Sequence, residues 1–234
     1  MSAFYAMTYN DSVELLSDGA VYLPDGTLID IREKVWRSPG LPLAVTGRGS
    51  MAFEAYAETI LAMSEDSVDA VIERTHTLLE QAKKGVVSSA PCEVLLAGLS
   101  ETRGPFLAFF STADVYPQFE PFILHDVGPD FGGGNALTAE EIAALPSAEE
   151  GLGKCGVALF ETMRGKPGLN PAAPHMPAIH GIGGHIDLTV INANGATTTR
   201  LHEWPDVIGE KIDPFSASAK FEDNSSFSDG ASFG

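Results

Sequence analysis

Residues 2–18 of the chain read SAFYAMTYNDSVELLSD. Residues 2–9 alternate in a way that predicts a β-strand. Asn10 and Asp11 form a pair typical of turns, and residues 13–17 predict a second strand that ends at Asp18. The chain is therefore expected to open with a β-hairpin.

Three residue types that can act together chemically are evenly spaced from the start of this hairpin. Asp18 and Lys34 follow Ser2 at two equal intervals of 16 residues. With the normal twist of a sheet, a hydroxyl, a carboxylate and a lysine at these positions can converge. In spacing and context this start resembles the proteasome and HslV-type peptidases of the N-terminal nucleophile hydrolases. The alternative is a surface serine, a turn aspartate and a strand lysine that do not meet.

The resemblance implies a role for each residue. Ser2 would be the nucleophile once Met1 is removed, and its free α-amino group, with an ordinary pKa of about 7.7–8, would be the base. Lys34 would favour the deprotonated hydroxyl, and Asp18 would keep Lys34 charged and oriented. The backbone N–H of Gly47 would bind the oxyanion, although its interval from Lys34 is one residue shorter than in the family. The alternative for Gly47 is an ordinary strand-to-helix turn.

The later part of the sequence departs from the family pattern. Gly133 stands where active members usually carry a serine. Residues 179–182 read IHGI before a Gly-Gly pair, where those members carry Asp-x-x-Ser. Without these polar groups the terminal amine would be poorly oriented and its pKa less controlled. His180, one place away, is the candidate to replace them.

Strand and helix patterns follow one another in blocks along the rest of the chain. Two helices are predicted between β-hairpin blocks, the second one capped by Ser64 or alternatively by Asp66 or Ser67. Two more helices are predicted before a last hairpin, and the first of them opens at Thr138 with Glu141 at the capping-box position.

This order is similar to that of the N-terminal nucleophile hydrolases, in which two stacked sheets are covered by helices on both outer faces. The resemblance therefore implies an α+β fold, a four-layer αββα sandwich. We expect this domain to span residues 1–214 and an extended C-terminal arm to span residues 215–234.

The composition limits the partners and the location. The chain has 14 Lys and Arg against 32 Asp and Glu, a net charge of −18, which argues against nucleic acid and anionic membranes as partners. No apolar run approaches the length of a membrane span. Cys92 and Cys155 alone do not predict a disulfide framework. The expected location is the cytoplasm, or a virion if the protein is phage-encoded.

No cofactor and no metal are expected. His175, His180, His185 and Asp187 lie close together in the sequence, and neutral imidazoles can bind zinc. However, histidines spaced five residues apart in a Pro/Gly-rich segment do not share one face. The pattern favours polar residues of loops and strand ends.

The C-terminal segment carries a second signal. Residues 215–234 are rich in Ser, Asp, Gly and Ala, yet Phe215, Phe221, Phe227 and Phe233 recur every six residues. In an extended chain these rings would point to one side, as in an arm that lies along a neighbouring subunit. Coincidence in an unstructured tail is the alternative. Two main functions follow: a peptide or amide hydrolase, or a catalytically silent subunit of a homo-oligomer or larger assembly such as a bacteriophage virion. A further alternative is a protein that binds a small molecule.

Overall fold

The structure is a computed structural model that describes residues 2–63, 67–85, 91–169 and 175–216. In this part of the chain, twelve β-strands form three antiparallel sheets, accompanied by four α-helices and one short 3₁₀ helix. Met1 and most of the expected C-terminal arm, including Phe221, Phe227 and Phe233, lie outside the described residues.

The first sheet is built around the N-terminal hairpin. β1 (Phe4–Thr8) pairs with β2 (Val13–Asp18), and Phe4 lies opposite Ser17. The five strands run in the order β10-β1-β2-β11-β12. The other three are β10 (Asp130–Gly133), β11 (His185–Asn192) and β12 (Gly195–Glu203). The predicted hairpin is confirmed, with Ser2 just before its first strand.

The second sheet has five strands and the third has two. In the second sheet the order is β5 (Val35–Arg37), β6 (Leu43–Gly49), β7 (Cys92–Ser100), β8 (Gly104–Ser111) and β9 (His125–Asp126). The third sheet is the hairpin of β3 (Ala20–Tyr22) and β4 (Leu28–Ile31), which joins the two larger sheets in sequence.

The helices agree with the local sequence signals. α1 (Ala52–Ala62) and α2 (Val68–Lys84) pack on the second sheet, and the Ser67 hydroxyl caps α2 by accepting the N–H of Ala70. The other cap candidates, Ser64 and Asp66, lie outside the described residues. α3 (Ala139–Ala144) begins with the predicted capping box of Thr138 and Glu141. A 3₁₀ turn (Ala148–Glu150) leads into α4 (Leu152–Arg164), which packs on β2 and β11.

The prediction of a four-layer αββα sandwich is wrong. Twelve strands in three antiparallel sheets dominate the described chain, so the fold is β-rich. The capping box starts α3 as expected, but the helix has six residues and, within the described chain, buries none of them. A capping signal fixes where a helix begins and does not supply the apolar stripe that packs it as a layer. The strands β3 and β4 were also not predicted, because they are only three and four residues long.

Apolar side chains between the two larger sheets hold the start of the chain in place. Phe4 and Leu15 of the N-terminal hairpin pack with Leu95 and Phe109 of the second sheet in a fully buried cluster. Burial of such side chains contributes about 1.5–3 kcal/mol each. Ser2, two residues before Phe4, is thereby fixed at the edge of the core.

Candidate functional site

The structure brings Ser2, Asp18 and Lys34 together. The Nζ of Lys34 donates to the Oγ of Ser2 at 2.9 Å and to the Oδ1 of Asp18 at 3.0 Å. Ser2 precedes β1, Asp18 ends β2, and Lys34 comes directly before β5. The hydroxyl of Thr46 on β6 donates to the carbonyl of Lys34 at 2.7 Å and so fixes the backbone at the lysine. The two large sheets therefore meet at this trio.

Asp18 is fully buried and accepts hydrogen bonds from three backbone segments besides Lys34. Its Oδ1 accepts the N–H of Ala3 at 2.9 Å. Its Oδ2 accepts the N–H groups of Ala20 and Gly183, both at 3.2 Å. These bonds offset the free-energy cost of removing the Asp18 carboxylate from water. They also hold Ala3, the neighbour of Ser2, at a fixed distance from that carboxylate.

Lys34 is only 4% exposed, and burial and the neighbouring carboxylate shift its pKa in opposite directions. Burial lowers the pKa of Lys34 below its ordinary value, while the carboxylate of Asp18 raises it in part. The balance is a lowered pKa. Such a lysine exchanges its proton more readily than an exposed one, and in its charged form it stabilises an alkoxide at Ser2.

Tyr22 is a further polar residue at this site, and sequence reasoning missed it. Burial and then the charge of Asp18 raise the pKa of Tyr22, and hydrogen bonds with Ser2 oppose that rise. The phenol therefore stays protonated at neutral pH, and Tyr22 lines the same cleft as Ser2. Tyr22 lies at the end of β3, and because this short strand was not predicted, the sequence did not indicate that Tyr22 reaches the site.

A cleft of about 320 Å³ opens beside Ser2 and Lys34. Apolar side chains from the third sheet and from the start of α1 form much of its wall, among them Val21, Leu23, Ile29, Met51 and Phe53. Glu54, which forms an ion pair with Arg32, also lines it. The cleft can take an apolar group next to the serine hydroxyl.

Gly47 lies within β6, opposite Val94 of β7. A side chain there would meet the carbonyl of Glu93 and come within 2.8 Å of the Phe53 ring, so close packing alone accounts for the glycine. Among the described residues that line the cleft, this strand contributes Arg48 and Gly49. The oxyanion role of Gly47 stays a prediction.

Arg48 fills the space beside Gly133, the position where the family carries a serine. A Cβ on Gly133 would come within 2.6 Å of the guanidinium carbon. Arg48 is 7% exposed and pairs through its Nε with Glu93 at 2.5 Å, while its Nη2 donates to the Tyr116 hydroxyl at 2.9 Å. The expected polar support is thus replaced by a buried ion pair.

Asp206 and Arg164 support the Gly-Gly pair in place of the absent Asp-x-x-Ser. Asp206 Oδ2 accepts the N–H of Gly184 at 2.8 Å, and its two oxygens bind the Arg164 guanidinium at 2.9 and 2.6 Å. The neighbouring Gly183 donates to Asp18, so this ion pair positions the loop that holds the carboxylate. His180 Nδ1 instead lies 3.0 Å from the Arg164 carbonyl. Sequence reasoning missed the pair because its members are 42 residues apart.

Two of the histidines that suggested a metal, His180 and His185, have other contacts. His185 is buried, with its Nε2 3.0 Å from Asp187 Oδ2, and Arg200 donates to Asp187 at 2.9 Å. Among the residues described by the structure, no group of three or more His, Cys, Asp or Glu side chains is arranged to hold a metal ion. No helix in this part of the chain has the length and apolar character needed to cross a membrane.

Comparison with known proteins does not assign a family. The sequence matches no model of a protein family and none of the curated proteins. The arrangement of the chain's own residues is therefore the basis for a functional assignment.

Proposed function

We propose that the protein is an N-terminal nucleophile hydrolase that cleaves peptide or amide bonds, with Ser2 as nucleophile after Met1 has been removed. The observation that carries the proposal is the position of the Lys34 ammonium between the Ser2 hydroxyl and the buried Asp18 carboxylate. A lysine held at 2.9 Å from a serine oxygen by a buried carboxylate is an arrangement that activates a nucleophile.

The proposed reaction has two steps. The free α-amino group of Ser2 takes the proton from Oγ as Oγ attacks the substrate carbonyl carbon, and the same proton then passes to the leaving amine as the C–N bond breaks. This leaves an ester between Oγ and the acyl group. Water then attacks the ester with the α-amino group again as base, which releases the acid and restores the hydroxyl.

The other residues of the site stabilise charge and hold the substrate in this proposal. Lys34, kept charged by Asp18, stabilises the negative charge that develops on Oγ, and the Tyr22 hydroxyl lies near Ser2 in the same cleft. Backbone N–H groups near the end of β6 would bind the carbonyl oxygen. The apolar cleft favours substrates with an apolar side chain next to the scissile bond.

The experiment is to prepare the chain with Ser2 as its first residue, verified by intact mass, and to treat it with a panel of peptide β-lactones, which acylate serine hydroxyls. One acyl group should attach, and peptide mapping should place it on Ser2. Ser2→Ala should remain unmodified, whereas Ser12→Ala, in the turn of the same hairpin, should react normally. The same chain with Met1 retained should not turn over peptides, since its amine is acylated. Modification that survives Ser2→Ala would refute the proposal.

A second candidate is a catalytically silent subunit of a larger assembly. The observation that favours it is the replacement of the expected serine by Gly133, with Arg48 in its space. Under this hypothesis, the chain that begins at Ser2 neither reacts with the β-lactones nor cleaves a peptide library. It instead sediments as a defined multi-subunit particle that loses subunits when residues 216–234 are deleted.

A further inference from the structure

A second and larger cavity shares Arg48 as a lining residue with the serine cleft. It has a volume of about 860 Å³ and is bounded by β1 and β10, by α4, and by the segment that carries α3. We propose that this cavity is a binding site for a neutral, mostly apolar small molecule. Its volume falls in the range of natural ligand sites, which is about 300–1,000 Å³.

The walls present apolar side chains that the described part of the chain leaves uncovered. Ile142 of α3 is 58% exposed although it lines the cavity, and within the described chain no residue of α3 is buried. Across from it lie Leu159 and Met163 of α4, with Leu145 at the edge. A concave space lined by apolar groups on facing walls gains free energy when an apolar molecule displaces its water.

The wall formed by α3 is held by specific contacts. The capping box of Thr138 and Glu141 fixes the first turn of α3, and Lys166 pairs with Glu141. Lys166 also donates to the carbonyl of Ala136 at 3.0 Å, and the side chain of Asn135 donates to the carbonyl of Met163 at 2.9 Å. These bonds tie the N-terminal part of the wall, residues 135–141, to the end of α4, so this side of the cavity is held in place by the fold.

The polar groups at the cavity indicate a neutral ligand. Tyr5 donates its hydroxyl to Asp130 at 3.2 Å, and burial with the nearby Asp130 raises the pKa of Tyr5 to about 12, so the hydroxyl stays protonated. Arg48 is the cation at the cavity, but Glu93 compensates its charge. With Asp130 also present, and a net charge of −18 on the chain, an anionic ligand is disfavoured. A hydroxyl or amide of the ligand can bond to these groups.

The test is a titration with Nile red, a neutral apolar dye, followed by displacement. We expect saturable binding of one dye per chain. Decanol should displace the dye, and decanoate, which has the same length and a negative charge, should do so at least about tenfold more weakly. These readouts do not depend on hydrolysis, so they hold or fail separately from the proposed reaction.

Two variants locate the binding site. Ile142→Asp puts a carboxylate at the cavity wall on an exposed position that folding does not require, and it should weaken dye binding by roughly tenfold or more. Ala143→Asp, the adjacent exposed residue of α3, is the control and should bind as the parent does. Leu145→Trp, with folding verified by urea unfolding, should also reduce binding, because the indole takes up cavity volume.

The proposal fails if dye binding is absent or is unchanged in both Ile142→Asp and Leu145→Trp. It also fails if decanoate competes as well as decanol. A different outcome would be a dimer that sedimentation detects and that Ile142→Asp dissociates, with no dye bound by the parent. This result would assign the cavity walls to an interface between copies of the chain and would overturn the small-molecule site.

Discussion

The guanidinium of Arg48 lies where a side chain on Gly133 would have to go, with its carbon 2.6 Å from the position of a Cβ. Arg48 extends from β6 of the second sheet, and Gly133 ends β10 of the first, so this contact joins the two sheets next to Ser2. Arg48 lines both the serine cleft and the larger cavity. The glycine at position 133, where the resemblance predicts a serine, is therefore required by the packing of Arg48.

Introducing the family's serine at Gly133 should destabilise the protein. Gly133→Ser forces the new side chain against a buried guanidinium, and overpacking of this kind costs about 1–3 kcal/mol. The cost should shrink in an Arg48→Met/Glu93→Gln background, where the ion pair has been removed as a unit. Gly40→Ser, at a glycine with open space around it, should stay within about 0.5 kcal/mol of the parent. Urea unfolding of all these variants is the measurement, and equal costs in both backgrounds would contradict the packing argument.

Replacement of Lys34 should affect stability and activity together. Lys34→Met leaves the fully buried Asp18 carboxylate without its cation, which should lower the free energy of unfolding by about 3–5 kcal/mol. The double variant Asp18→Asn/Lys34→Met should recover part of that loss. Neither the single nor the double variant should hydrolyse peptides at a detectable rate. Both lack the charged lysine, and general acid–base and electrostatic catalysis of this kind contributes roughly 10²–10⁴-fold to the rate. Full activity in a folded Lys34→Met chain would remove Lys34 from the mechanism.

The pH dependence of stability should report the lowered pKa of Lys34. Between that lowered pKa and the ordinary value of 10.5, the unfolded lysine binds a proton that the folded one has lost, so the free energy of unfolding rises with pH. The slope is at most about 1.4 kcal/mol per pH unit. Tyrosines with a raised pKa make the free energy of unfolding fall with pH in the more alkaline range. Because the same tyrosines are present in Lys34→Met, a comparison of the parent with this variant isolates the contribution of Lys34. The free energy of unfolding of the parent minus that of Lys34→Met, measured by urea unfolding, should increase with pH. A difference that decreases with pH would show that the pKa of Lys34 is raised instead.

Asp206→Asn should weaken the support of the Asp18 loop. Asp206 and Arg164 are 5% and 3% exposed and joined by two short bonds, so loss of the carboxylate leaves a buried cation and should cost about 3–5 kcal/mol. Asp114→Asn, at an exposed position, is the control and should be neutral. If Asp206 acts by positioning, the folded Asp206→Asn chain should also show an altered pH profile of Ser2 acylation. A variant with parental stability and profile would contradict this.

The local sequence determined those features whose hydrogen bonds close within a few residues. The hairpin of residues 2–18 and the capping box of Thr138 with Glu141 were predicted from neighbours alone and are confirmed. The family resemblance of this start also predicted that Ser2, Asp18 and Lys34 would meet, and Lys34 is hydrogen-bonded to both of the others. Their catalytic roles stay predictions that the acylation experiment tests.

Only the tertiary structure decided which of these elements form layers and what supports the site. The expected αββα sandwich failed because α3 is helical without burying a face, and burial depends on distant partners that the segment itself does not encode. Arg164 and Asp206, and likewise Arg48 and Gly133, meet across separations that follow no period in the sequence. Local patterns specify backbone conformation through short-range bonds, whereas the contacts that complete the site follow from how the sheets pack, which the whole chain determines together.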